Sequence, residues 1–381
     1  MFLSSFGVLL RFSPVENVYI YPHDIVVGII ALLGVIYFFF SKKKKNFQKI
    51  FSIVIIFNIV SLLSLFLNFS LQRSELITSF SYLLRFDAYV ALLLLALIPF
   101  SKSQMRIQRG LFIGITIFIV IFGFFQYFFY NNLRNLYYLG WDEHLYRLFS
   151  VFLDPNFAGL FFALFLLVLL GHFIFEFGYN KYLYGGVFAL TFAALLLTYS
   201  RTALISFFCG AVFLLLIKRK YAILGCGVFV MIVGILLVSD FSIEGMNPLR
   251  IASSEARVRS FQESFSIFQN NPILGVGFNA YRYAQIDAGF RSEHAQFPSN
   301  ADAGTDNSLL FVLATTGVVG FIVYVLFWIQ IIKLGVTSRK KVSFIAIILT
   351  FFIGSQFINA LFFTPLLLWV FLYTVFFVVR D

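Results

Sequence analysis

Arg147, Arg201, Arg257, Arg259 and Asp306 are the residues of this chain whose types and placement suit chemistry. An arginine presents a permanently charged, planar fork of donors that meets phosphate oxygens two at a time, which lysine does not. Fixed guanidinium groups at a low-dielectric boundary stabilise negative charge developing on a departing phosphate. A carboxylate beside them can take the proton of an attacking hydroxyl. No Asp-x-Asp triplet is present, and Asp142 with Glu143 is the only adjacent pair of acids, so a metal-dependent chemistry would have to begin there.

The elements that must position these residues are membrane spans. The chain is 61% hydrophobic, 20% aromatic and only 12% charged, more apolar surface than a soluble domain can hide. A bilayer core calls for runs of about 17 to 25 apolar residues. Such runs occupy 24–40, 50–70, 78–100, 110–130, 157–177, 182–199, 202–217, 221–239, 307–332, 342–361 and 363–379. In lipid each must be a helix, because every backbone N–H and C=O needs an internal partner. The expected fold is therefore an all-α polytopic membrane protein with about 11–12 transmembrane helices and one large external loop. The run Met1–Phe12 is short for a span and lacks a small-residue cleavage signature, so it reads as an interfacial helix or a shortened first span rather than a signal peptide. Three parts follow: an N-terminal bundle over 1–238, an external loop with short helices over 239–306, and C-terminal spans over 307–381.

Orientation follows from the lysines. Lys42–Lys45 with Lys49, Lys102 with Arg106 and Arg109, Lys181, Lys218–Lys220, and Lys333 with Arg339–Lys341 fall in alternate loops. Positive charge marks those loops as cytoplasmic. Arg11, Arg73, Arg85, Arg134, Arg147, Arg201, Arg250, Arg257, Arg259, Arg282 and Arg291 lie on the opposite face or within spans. That division is either the topogenic signal alone or a phosphate-binding set of forks. The net charge of +11 suits anionic lipid headgroups and does not point to nucleic acid. Neither a P-loop nor a GxGxxG fingerprint occurs. Cys209 and Cys226 sit inside expected spans and read as small packing residues.

Each candidate also has an ordinary reading. Asp154-Pro155-Asn156 is the chemistry of a helix start, with a capping side chain and Pro in the first turn. Arg147 stands among aromatics near the membrane surface. Arg201, in the tight hairpin Thr198-Tyr199-Ser200-Arg201-Thr202, either snorkels to headgroups or points into a cavity between helices. Phe261, Phe265 and Phe268 form one apolar stripe at helical spacing, and Arg257 shares its face, while Arg259 is rotated away. Pro272 ends that helix and Gly275 and Gly277 make the return turn. Asp306 precedes the span at 307–332 and reads first as a helix cap, and second as a proton acceptor.

In order, spacing and shared membrane side, these segments resemble the O-antigen ligase and O-antigen polymerase family of bacterial membrane glycosyltransferases. The carrying pieces are Arg147 with Asp154-Pro155-Asn156-Phe157-Ala158-Gly159, then Ser200-Arg201-Thr202-Ala203, Arg257 with Phe261, Pro272-Ile273-Leu274-Gly275-Val276-Gly277, and Asp306-Asn307-Ser308-Leu309-Leu310 with Gly317 and Gly320. The resemblance spans about Tyr146 to Phe321. It implies a GT-C-like fold, a large periplasmic loop, a cytoplasmic-membrane location, and a glycan donor carried on undecaprenyl pyrophosphate. It implies no cofactor, no nucleotide sugar and no metal. The acceptor is a saccharide or a lipid-linked glycan, and a chain-length regulator protein is a further expected partner. Arg201 and Arg257, with Arg147 and Arg259, occupy the positions that would bind the pyrophosphate. The ligases have histidine where Asp306 stands, which favours a polymerase of surface polysaccharide repeat units over a ligase. A transporter of lipid-linked sugar is the rival of a different class; it would place ionisable groups near mid-membrane, where this chain offers only Arg85 and Asp87.

Overall fold

The structure is a computed structural model describing residues 2–15, 18–41, 45–68, 71–175, 181–221, 251–292, 300 and 303–379. It is an all-α polytopic membrane protein, to which a short antiparallel hairpin of β1 (Phe12–Val15) and β2 (Val18–Ile20) is added near the N-terminus. The first bundle holds α1 (Pro22–Phe40), α2 (Lys45–Leu67), α3 (Arg73–Ala91), α4 (Lys102–Phe129), α5 (Pro155–Phe175), α6 (Lys181–Leu197) and α7 (Arg201–Ile217). Two helices follow outside the spans, α8 (Ile251–Asn270) and α9 (Tyr281–Asp287). The chain then re-enters the bundle as α10 (Ser308–Val336), α11 (Lys341–Gly354) and α12 (Thr364–Tyr373), the last continuing as a π-helix over Thr374–Val379.

Six of the described helices are long and apolar enough to cross a bilayer, and four more are apolar but shorter. Each corresponds to an apolar run of the sequence. The run at 221–239, with Arg250 and Cys226, lies outside the described residues beyond Tyr221. The N-terminal run forms a single 3-10 turn over Phe2–Phe6 and not a span. Its end is tied to the bundle where the Val8 N–H donates to the Val151 carbonyl at 2.9 Å.

The helices pack as lipid-immersed helices must. α5 is apolar all round and is the most enclosed of the long spans, 72% buried. It is flanked by α6, α7 and α11. Ile29, Leu33, Phe40, Ile55 and Phe125 point outward from α1, α2 and α4, where a water-soluble protein would place charges. Small residues allow close approach: Gly210 abuts Thr350 and Gly171 abuts Ser343. At the lysine-rich end the Arg109 Nε donates to the Phe376 carbonyl at 2.7 Å, holding the π-helix over Thr374–Val379 in place.

One span is broken. At Gly317 the backbone of α10 leaves the helix with φ 64° and ψ −170°. That region is open essentially to glycine alone. The groups released by the break are not left bare. The Val276 and Gly277 N–H groups donate to the Ala314 and Thr315 carbonyls at 3.0 and 2.9 Å. In return the Val318 and Val319 N–H groups donate to Pro272 and Ile273 at 2.9 and 3.3 Å. From α2, the Ser64 hydroxyl reaches Thr315 at 3.0 Å and the Asn68 amide reaches the Val276 carbonyl. Pro272–Gly277 is therefore more than a return turn: it lies against the broken helix as its missing strand of backbone partners.

Candidate functional site

At the end of the bundle that carries α8 and α9, a cavity of about 730 Å³ opens between α3, the 141–157 segment, α8, α9, and the segments leading into α10 and α12. Its lining gathers Arg147, Arg257 and Asp306 from positions far apart in the chain, with Arg282, His144 and Asn156. Apolar rings, among them Phe278, Phe311, Phe362 and Phe363, also line it. Phe362 meets Phe278 edge-on and Phe311 at a tilt, and the three rings continue into the core.

Asp306 owes its availability to its neighbour. The cap of α10 is Asn307, whose Oδ1 accepts from the Leu309 and Leu310 N–H groups at 3.0 and 2.9 Å. The helix-cap reading of Asp306 thus moves one residue along the chain, and the Asp306 carboxylate is not occupied in capping. Its backbone N–H donates to the Ser260 hydroxyl at 3.3 Å, which fixes the residue against α8 one turn from Arg257. Burial lifts the Asp306 carboxyl above the ordinary carboxylate range; the Arg257 guanidinium draws it down, and Asp154 and Asp142 push it up.

Arg257 is half-buried on α8, its guanidinium 6.0 Å from the centre of the Phe357 ring. The face of α8 that packs on the protein carries Glu263, Ser264 and Ile267, whereas Phe261 and Phe265 are exposed and stacked on each other at 6.1 Å. The stripe read from the sequence is therefore the outward one at those two positions. On that face Glu263 forms an ion pair with Arg291 at 3.1 Å, Ser264 meets the Tyr281 hydroxyl at 2.5 Å, and Ser260 meets Thr305 at 3.2 Å.

Arg147 is only 2% exposed yet borders the cavity. Its Nε donates to the Thr198 carbonyl at 2.9 Å and its Nη2 to Tyr199 and Asn156 at 3.5 Å, at the C-terminal end of α6 where a cation is favoured. It staples the α6–α7 hairpin to the cavity wall. Asp154 does cap its helix, accepting from the Asn156 and Phe157 N–H groups at 2.6 and 3.3 Å. Ser200 caps α7, and its hydroxyl donates to Asn156 at 3.1 Å. Arg201, first residue of α7, is half-buried and is not among the lining residues; Arg259 is exposed and is not among them either.

The remaining arginines sort by partner. Arg291 is held by Glu263, Arg134 meets Glu143 at 3.3 Å on the surface, and Arg85 pairs with Asp24 at 3.3 Å. Asp87, two residues along α3 from Arg85, accepts from Asn58 at 3.0 Å. Arg282 and His144 line the cavity without having stood out among the sequence candidates. His144 Nε2 lies 3.9 Å from the Asp154 carboxylate, a charged pair when the imidazole is protonated. Its signal in the sequence was its place in Trp141-Asp142-Glu143-His144, a polar run between two aromatic stretches. Among the described residues no three His, Cys, Asp or Glu side chains are grouped as metal ligands would be.

Residues 186–325 match the family model described as O-antigen ligase. The match takes in Arg201, Arg257, the Pro272–Gly277 segment, Asp306 and Gly317, and begins after Arg147 and Asp154. It supports the resemblance to the O-antigen ligase and polymerase family, and with it a glycosyltransferase-type activity of that general kind. No curated protein matches the chain.

Proposed function

We propose that this chain, whose residues 186–325 are similar to the O-antigen ligase family, is an inverting glycosyltransferase that joins saccharides carried on undecaprenyl pyrophosphate at the periplasmic face of the cytoplasmic membrane. The observation that carries the reading is the convergence of Arg257, Arg147 and Asp306 on one cavity whose lining also includes apolar rings. An acceptor hydroxyl attacks the anomeric carbon while the bond from that carbon to the pyrophosphate oxygen breaks. The bonding pair leaves with the pyrophosphate, whose charge Arg257 stabilises, with Arg282 on the same cavity lining. The hydroxyl proton passes to Asp306. A single displacement of this kind inverts the anomeric centre. Arg147 holds the wall in register through Thr198, and Ser200, the residue before Arg201, ties α7 to it through Asn156. Metal is not required in this scheme, because guanidinium groups neutralise the leaving group.

Polymerisation of repeat units is the preferred reaction, since a carboxylate stands where the ligases have histidine. Ligation to lipid A core or another acceptor is the second reading, favoured by the description of the matched family. A transporter is disfavoured: Arg85 and Asp87 are tied to Asp24 and Asn58. Purified protein given a defined undecaprenyl-pyrophosphate repeat unit tests the choice. A ladder of products supports polymerisation, and transfer only to an added acceptor supports ligation. Translocation across a vesicle with no new glycosidic bond would reject both.

A further inference from the structure

One wall of the cavity has no part in the chemistry above. It is built from Tyr19 on β2, Tyr82 on α3 and Trp141, beside Thr78, Asp142 and Asn300. An ordinary explanation for tyrosine and tryptophan here is the aromatic belt that membrane proteins wear at the lipid–water boundary. Tyr130, Tyr137, Tyr138 and Tyr146 fit that explanation, being exposed at the same end of the bundle and absent from the cavity lining. Tyr19, Tyr82 and Trp141 do not, because they border the cavity.

These rings are also held in place. The Arg85 guanidinium lies 4.6 Å from the centre of the Tyr82 ring and 5.7 Å from that of Tyr21, and it donates to the Tyr19 carbonyl. Asp24 fixes Arg85 at 3.3 Å and is itself fixed by the Tyr89 hydroxyl at 2.6 Å and the Tyr21 N–H at 2.9 Å. On the other side Arg11 lies 4.5 Å from the centre of the Tyr19 ring and 5.5 Å from that of Trp141, and it donates to the Leu139 carbonyl at 2.9 Å. The Asn300 amide donates to the same carbonyl at 3.2 Å. Two arginines thus brace the wall, and the charge of Arg85 is matched by Asp24. Such a wall suits a neutral ligand with flat apolar faces and hydroxyl edges.

Pyranose rings have that form: C–H groups cover a face, and hydroxyls radiate from the rim. An aromatic face takes the first, and Thr78, Asp142 and Asn300 offer partners to the second. We infer that Tyr19, Tyr82 and Trp141 form a saccharide subsite, which seats a sugar unit of the glycan beside the pyrophosphate-binding arginines. The inference rests on the glycosyltransferase reading for its choice of ligand class, but binding tests it without turnover.

The experiment uses the full chain in lipid nanodiscs and an array of fluorescently labelled, lipid-free bacterial oligosaccharides, so no pyrophosphate contributes. Wild type is expected to bind at least one glycan class. Tyr82→Ala and Trp141→Ala should each weaken that binding about 3- to 10-fold, the range of one aromatic contact. Trp141→Phe and Tyr82→Phe keep the ring and should restore most of it. Tyr138→Ala, outside the cavity, should leave it unchanged, and melting curves verify that all variants fold. Trp328 and Trp369 are buried in the core, so an emission change on glycan binding that vanishes in Trp141→Phe places the sugar at this wall. Absence of saccharide binding by wild type up to millimolar concentration, or equal binding by the two Ala variants, overturns the subsite. Loss of binding in the Ala variants upholds it even if no polymer ever forms in the turnover assay.

Discussion

The division of labour between Asp306 and Asn307 can be separated by two single substitutions. Asp306→Asn preserves size and leaves both Asn307 cap bonds intact, so it removes only the charge and the proton acceptor. If the carboxylate is the general base, turnover should fall by roughly 10² to 10⁴. Stability should not fall. Burial raises the Asp306 carboxyl, so the folded state favours its protonated form. A group raised on folding contributes stability below its unfolded pKa and loses it as pH rises through the folded pKa. The charged form of the carboxylate is therefore a cost in the folded state, and the neutral amide should melt no lower than wild type. Asn307→Ala does the reverse. It deletes the acceptor for Leu309 and Leu310 and the bond to Gln356 at 3.1 Å, with an expected loss of about 1 kcal/mol or somewhat more and turnover within a few-fold of wild type per folded molecule. The pH profile gives a third readout. Wild-type turnover should decline, as pH falls, from a point above the ordinary carboxylate range, and Asp306→Asn should lack that limb. Thermal melting in nanodiscs and product gels across pH supply the measurements. Turnover by Asp306→Asn close to wild type would refute the argument and transfer the proton to another group of the cavity, His144 first.

Four more outcomes are expected. Gly317→Ala would drive its Cβ into the Ile273 carbonyl in a glycine-only backbone region, and Gly275→Ala would strike the Thr315 backbone, so each should lower stability by at least ~2 kcal/mol, read as a fall in melting temperature. Arg257→Ala should abolish turnover at normal membrane expression and Arg257→Lys should remain poor, whereas Arg201→Ala should lose less, because Arg201 does not line the cavity; full activity of Arg257→Ala removes it from the site. Turnover should survive EDTA, and a loss restored by magnesium or manganese would shift attention to Asp142 and Glu143. In a background lacking both cysteines, Ser292→Cys should react with an impermeant reagent in intact cells and Ser41→Cys should not, and the opposite pattern would invert the topology.

The spans were legible because lipid leaves the backbone no alternative to helix, so ten of the eleven apolar runs coincide with described helices, the run at 221–239 lying outside the described residues. The site was legible in its residue types more than in its geometry. Asp306-Asn307-Ser308 offers three side chains able to cap, and tertiary partners decide among them: the Ser308 hydroxyl is committed to Ile358 and its N–H to Ser355, which seats Asn307 as the cap. Periodicity found the Phe261–Phe265 stripe but not its direction, since a membrane protein has apolar surroundings on its outside as well as its inside. Arg201 and Arg282 are alike in sequence as loop-side arginines, and only the packing of α7 and α9 leaves one off the cavity lining and puts the other on it. Arg85 and Asp87 needed partners on other helices, and α1 and α2 provide them.

The break at Gly317 also bears on the order in which the molecule is made. A helix interrupted inside a bilayer exposes peptide groups that lipid cannot solvate. Here their partners come from Ser64 and from Pro272–Gly277, all synthesised before Gly317 leaves the ribosome. When α10 inserts, the groups that complete it are already in place, and the interrupted span never has to wait in hydrocarbon for a later segment. The same bonds fasten the chain at Val276 and Gly277 to the chain at Ala314 and Thr315. Arg282 follows the first of these anchors and Asp306 precedes the second, so the pairing that repairs the broken span also fixes where the chain leaves for each of these two cavity residues.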